Sequence, residues 1–118
     1  MTQKDLQRLQ ALAQLVLDRE MAALSRVAQK EQAQRAILDD LDAQLAQCQA
    51  ALEAATDIEA FQISGTDANF RLWLTQQRRQ EMRKLSQLAA LREDQTERVR
   101  TAFGRDEVMG KLCAGRKR

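Results

Sequence analysis

No proline occurs anywhere in the chain, and the first glycine is Gly65. Proline removes a helical hydrogen bond, and glycine costs a helix about 1 kcal/mol relative to alanine, so a stretch holding neither has little to interrupt it. The first stop-and-restart signal is Ile63-Ser64-Gly65-Thr66-Asp67. Glycine there can take the left-handed conformation past a helix end, and Thr66 or Asp67 can cap the next helix. The spacing predicts helix one over about 3–62, a turn over about 63–67 and helix two over about 68–114. The expected fold is all-α: one elongated domain in which two long helices form an antiparallel coiled-coil hairpin.

The rest of the sequence agrees with that expectation. Of the 118 residues 44% are hydrophobic but only 3% aromatic, and the apolar share is mostly Ala and Leu among Gln, Glu, Lys and Arg. Long helices and coiled coils have this composition, whereas compact cores draw on aromatic bulk. Thr2-Gln3-Lys4-Asp5 has the spacing of a capping box. From there a heptad seam runs through Leu17, Leu24, Glu31, Leu38, Leu45 and Leu52, and through Leu6, Ala13, Glu20, Val27, Gln34, Leu41, Cys48 and Ala55. Alternating steps of three and four hold these side chains on one stripe. The stripe thins between Ala28 and Arg35, which predicts loose packing or a polar facing surface.

Ile58, Phe61 and Ile63 are expected to close the hairpin tip against Phe70, Trp73 and Leu74. Helix two continues through Met82, Leu85, Leu88, Ala89, Leu91, Val99, Ala102 and Phe103. If Ile63 faces Ala68, partners across the hairpin carry numbers adding to about 131. Gly115 then lies opposite Val16, and the residues before it have no partner within the chain. Several large apolar side chains on such an overhang, Leu6, Leu9, Leu12 and Val16, make it a candidate docking element.

Catalysis is not expected. The chain has no histidine, no glycine-rich phosphate loop and no carboxylate pair in a foreseeable pocket, so no cofactor is implied. Asp39, Asp40 and Asp42 point in different directions on a helix and read as a solvated face. Cys48 falls on the seam, while Cys113 lies near a basic end where it could be reactive. No apolar run is long enough to span a membrane, and the expected compartment is the cytoplasm. The net charge of +2 is unevenly spread. Residues 1–63 carry 6 Lys/Arg against 10 Asp/Glu, and residues 64–118 carry 13 against 7. The basic half leaves a nucleic-acid-associated protein as one alternative, with Arg78, Arg79, Arg83 and Lys84 on phosphates. Glu81, Glu93, Asp94 and Glu97 dilute that stripe and no aromatic residues interleave it, so nucleic acid is not the expected partner. A generic coiled-coil scaffold is the other alternative.

The stretch Asn69-Phe70-Arg71-Leu72-Trp73-Leu74-Thr75-Gln76-Gln77-Arg78-Arg79-Gln80-Glu81-Met82-Arg83-Lys84 resembles the start of the second helix in the FliJ-type flagellar export proteins. Val99-Arg100-Thr101-Ala102-Phe103-Gly104-Arg105 is similar to sequence near their C-terminal end. The resemblance implies a non-enzymatic component of a bacterial type III export apparatus, a stalk-like coiled coil. Such a protein links the hexameric export ATPase to the export-gate membrane protein and assists chaperone traffic. It would be cytoplasmic, peripheral to the inner membrane through the apparatus. The resemblance further implies that the ATPase contact involves Leu6, Leu9, Leu12 and Val16. The gate contact would fall on Arg78, Met82, Leu85 and Ala89, with Arg78 standing where that family usually has an aromatic.

Overall fold

The computed structural model describes the backbone of residues 2–117 and the side chains of residues 2–57 and 68–115. It is all helical: α1 spans Gln3–Ala54 and α2 spans Asp57–Lys117. The start of α1 is fixed as its sequence dictates. The amide of Asp5 donates to Thr2 Oγ1 at 3.1 Å, and the amide of Thr2 donates back to Asp5 Oδ2 at 3.3 Å. Two otherwise orphaned N–H groups are satisfied by this box.

The turn is not at Gly65. Only Ala55 and Thr56 separate the helices, and the backbone of residues 63–67 is helical. Helix one therefore ends at Ala54 rather than near 62, and helix two begins at Asp57 rather than near 68. Two causes are legible. Thr56-Asp57-Ile58-Glu59 has the S/T-x-x-E spacing of a capping box, a stronger restart signal than Thr66-Asp67. Register is the second cause. Gln34 pairs with Glu81 and Glu20 with Gln95, so partner numbers add to 115 rather than 131. One heptad on, this register sets Leu41 opposite Leu74. The expected register would have put Leu38 opposite Glu93 and Leu24 opposite Glu107. A helical glycine costs about 1 kcal/mol, less than burying leucines against carboxylates.

Two compact units form along the pair. One contains Met1–Lys30 with Ala89–Arg118, and the other is Glu31–Leu88. In the first, the seam buries Leu6, Leu17, Ala102 and Cys113. In the second it buries Leu38 and Leu74 together with two polar residues, Glu31 and Gln34. The thin section of the stripe does face polar groups. Gln34 Nε2 donates to the Glu81 carbonyl at 3.0 Å and to the Glu81 carboxylate. Glu31 accepts from Arg35 one turn on, at 2.9 Å. Ile58, Phe61 and Ile63, assigned to the tip cluster, lie outside the described side chains. Phe70 and Trp73 stack on each other with centroids 6.1 Å apart, and both are exposed.

Candidate functional site

The observed register removes the overhang. Gln3 Nε2 reaches the carbonyl of Cys113 at 3.5 Å, so the first turn of α1 lies against the last turns of α2. Leu6 is buried in that seam and is not a docking surface. Leu9, Leu12 and Val16 remain exposed, at 40%, 56% and 38%. Their position explains this. In an antiparallel pair, one flank of the seam carries residues from both helices, and these three lie along that flank.

Across from them α2 contributes Thr101, Arg105, Val108 and Met109, and the two helices enclose an open apolar groove of about 620 Å³. Its depth comes from small residues. Ala13 and Ala102 occupy one layer of the seam, a heptad from the Glu20–Gln95 layer, and Gly104 adds no side chain to the wall. A Cβ built on Gly104 meets nothing within 4 Å. Where large side chains would fill the flank, alanine and glycine leave it hollow. A contiguous hollow of about 370 Å³ shares Val16, Thr101, Ala102 and Arg105 and continues the groove to Glu20, Glu97 and Arg98.

Charges of both signs line this groove: Glu20 and Glu97, with Arg98 and Arg105. Glu20 accepts from Gln95 Nε2 across the seam, and Glu97 is paired with Arg100. Asp5 is engaged at the helix cap and Glu107 lies 3.9 Å from Lys111. Among the described residues, Arg8, Arg19, Arg98 and Arg105 are exposed on the same part of the molecule with no ion-pair partner. The floor is apolar, and the rim is mixed, with Glu20 and Glu97 beside Arg98 and Arg105.

The second set of sequence candidates is not gathered on a free face. Arg78 Nε donates to Asp42 Oδ1 at 2.7 Å, and Leu85 is half-buried on the seam. Met82 is exposed, whereas Ala89 belongs to the other unit. Cys113 is buried rather than presented at a basic end, and both cysteines are free thiols. Sequence reasoning passed over Val108, Met109 and Arg105 as binding residues because the expected register left them far from Leu12. The signal that could have found them is the pairing of Ala13 with Ala102, which appears only once the turn is placed at Thr56.

Among the described residues, no cluster of three His, Cys, Asp or Glu side chains could hold a metal ion. No helix there is long and apolar enough to cross a membrane. No protein-family model, no curated protein and no solved structure matches the chain.

Proposed function

We propose that this chain is a non-enzymatic adaptor of a bacterial type III export apparatus, docking on the export ATPase through the groove of Leu9, Leu12, Val16 and Val108. The observation that carries the docking step is the groove itself. Two paired helices leave a contiguous apolar flank uncovered, where covering the roughly half of each large side chain still exposed is worth on the order of 1 kcal/mol to a partner. The export assignment rests on the resemblance of Asn69–Lys84 and Val99–Arg105 to the FliJ-type proteins. A stalk needs no catalytic group, only a stiff helical pair with a surface at one end and a second contact elsewhere. For the gate protein the available surface is Met82 with the neighbouring exposed Phe70 and Trp73, since Arg78 and Leu85 are engaged within the hairpin.

The test is capture of the ATPase from the cell that encodes this chain. Wild-type protein should retain it through a nuclease wash, and Leu9→Asp with Leu12→Asp should lose it while keeping its helix content by circular dichroism. Retention of the ATPase by that variant would remove the groove as the contact. Recovery of nucleic acid in place of ATPase would overturn the export reading.

A further inference from the structure

We infer that in the free protein a second copy of this chain covers the groove with its own, the two helical pairs meeting antiparallel about a local twofold axis. The inference concerns the chain by itself and goes beyond the docking reading: the ATPase would take the same face by displacing the second copy. Spacing on the two helices selects this occupant. Partner numbers across the seam add to 115, so Gln14 and Thr101 stand at one level along the groove. On α1, Leu12 and Val16 lie two residues either side of Gln14, and Arg8 and Glu20 lie six either side. On α2, Glu97 and Arg105 lie four either side of Thr101, and Arg98 and Gly104 lie three either side. A twofold axis crossing the groove at this level reverses each helix and sets it against its counterpart. Leu12 then meets the second copy's Val16, Arg105 meets its Glu97, and Glu20 stands level with its Arg8. Each contact occurs twice, as an isologous interface requires. Arg98 falls opposite the second copy's Gly104, where a Cβ would meet nothing within 4 Å and the guanidinium has room.

One centre therefore serves both helices. A uniformly acidic helix would meet like charge at Glu20 and Glu97, and a uniformly basic one at Arg98 and Arg105, whereas a second copy presents each sign to the other. Glu97 is held by Arg100 in a pair whose side chains are 68% and 69% exposed, and so weak a pair is readily exchanged. Size then sets the strength of the contact. Val108 and Leu112 are four apart on α2 and extend the apolar flank beyond Leu9, each at least half exposed. From Leu112 to Gln95, the residue level with Glu20, is 17 residues, about 26 Å at about 1.5 Å per residue, and two helices side by side are about 20 Å across. Such a patch on both copies amounts to on the order of 1,000 Å² in total, the size of a transient interface rather than a permanent one. The dimer is weak, and a tighter partner can replace it.

The experiment is analytical ultracentrifugation of the purified full chain at concentrations up to about 1 mM, enough to populate a weak dimer. The wild type should pass from monomer to dimer as concentration rises, and Leu12→Asp with Val16→Asp should leave monomer alone. Arg105→Glu and, separately, Glu97→Arg should each weaken self-association at least about tenfold, because each sets like charges together twice in the interface. Mixing those two variants should restore association as a heterodimer, since every Arg105–Glu97 contact then joins opposite charges. A structural role within one chain would not give that rescue. Helix content by circular dichroism should be the same in all of these proteins. A wild type that stays monomeric throughout would overturn the inference and leave the groove to a different protein, with the ATPase reading intact. A dimer indifferent to the Leu12/Val16 variant would be held by another face and would overturn it equally. Charge variants that do not associate on mixing would refute the antiparallel register. A dimer that behaves as expected while capture of the ATPase fails would support the inference and count against the docking reading.

Discussion

Each of the two units contains the same hydrogen-bonded layer, in mirror assignment. In the unit of residues 31–88 the glutamine is on α1 and the glutamate on α2; in the other unit Gln95 is on α2 and Glu20 on α1. In both, the glutamine Nε2 donates to a carbonyl across the seam at 3.0 Å and to the same residue's carboxylate. What surrounds the layer differs. Residues 31–88 bury Glu31 and Gln34 inside the seam and complete it with Leu74, which is 0% exposed. The other unit leaves Leu9, Leu12, Leu15, Val16, Val108 and Leu112 on the outside, beside an alanine layer. A polar residue at a seam position specifies register at some cost in stability. The matched layers thus fix one alignment of the two helices, and apolar residues not needed for that alignment lie on the surface of both units: beside the alanine layer in one, and at Ile37, Phe70, Leu72, Trp73 and Met82 in the other.

The largest expected effect tests where stability resides. Leu74→Ala removes a side chain with no exposed surface and should cost about 2–5 kcal/mol by urea unfolding. Leu12→Ala, at a residue 56% exposed, should change stability by about 0.5 kcal/mol or less. Comparable losses from both would mean that Leu12 is packed in solution, and the contrast between the units would collapse.

Acid comes next. The carboxyl of Glu81 is held below the usual glutamate value, first by the Gln34 hydrogen bond and then by Lys84. A depressed folded value means that the contribution to stability is complete above the ordinary value of 4.5 and disappears as pH falls through the folded one. The wild type should therefore lose stability on acidification below that point, and Gln34→Leu should lose less over the same interval. Identical acid profiles for the two proteins would show that the layer does not hold the charge of Glu81.

How much of this could be read from the sequence follows from the range of each signal. The seam of α1 was fully legible, since every position from Leu6 to Leu52 in the heptad reading is buried or half-buried. Periodicity is a local property repeated many times, and it survives errors elsewhere. The turn was not legible from the same signals. Gly65 and Thr56 each offered a boundary, and choosing between them needs the pairing of residues on the two helices. That choice then moved every cross-helix partner by about 16 positions, the difference between 131 and 115. Leu6 changed from an exposed docking residue to a seam residue for this reason alone, and Arg105 became a neighbour of Leu9. Leu9, Leu12 and Val16 were named correctly as surface residues, but as a free end rather than as one wall of a groove.

Gly104 separates the groove's two properties, hollowness and stability. It sits inside α2 with open space where a Cβ would be. Gly104→Ala should stabilise the chain by about 1 kcal/mol, from helix propensity alone. Gly104→Leu should keep most of that gain while adding bulk at the groove wall, so that its melting temperature rises as capture of the ATPase falls. A leucine variant that captures the ATPase as well as wild type would place the contact away from this wall.

The smallest effect bears on Arg78, which the family resemblance assigns to an export-gate contact. Its guanidinium and the Asp42 carboxylate are 2.7 Å apart, yet the two side chains are 43% and 50% exposed. Solvent screens such a pair, and its coupling in a double-mutant cycle with Arg78→Ala and Asp42→Ala should be about 0.5 kcal/mol or less. Because the pair adds so little to folding, Asp42→Ala serves as a probe of Arg78 rather than of stability. It frees the guanidinium without altering the helix. If Arg78 contacts a gate protein through an acidic group, releasing it from Asp42 should strengthen that binding, and Arg78→Ala should weaken it. If Arg78 serves only the hairpin, both variants should bind the gate protein as the wild type does, while Met82→Asp alone reduces binding. Opposite shifts from the first two substitutions would return Arg78 to the contact surface despite its pairing within the chain.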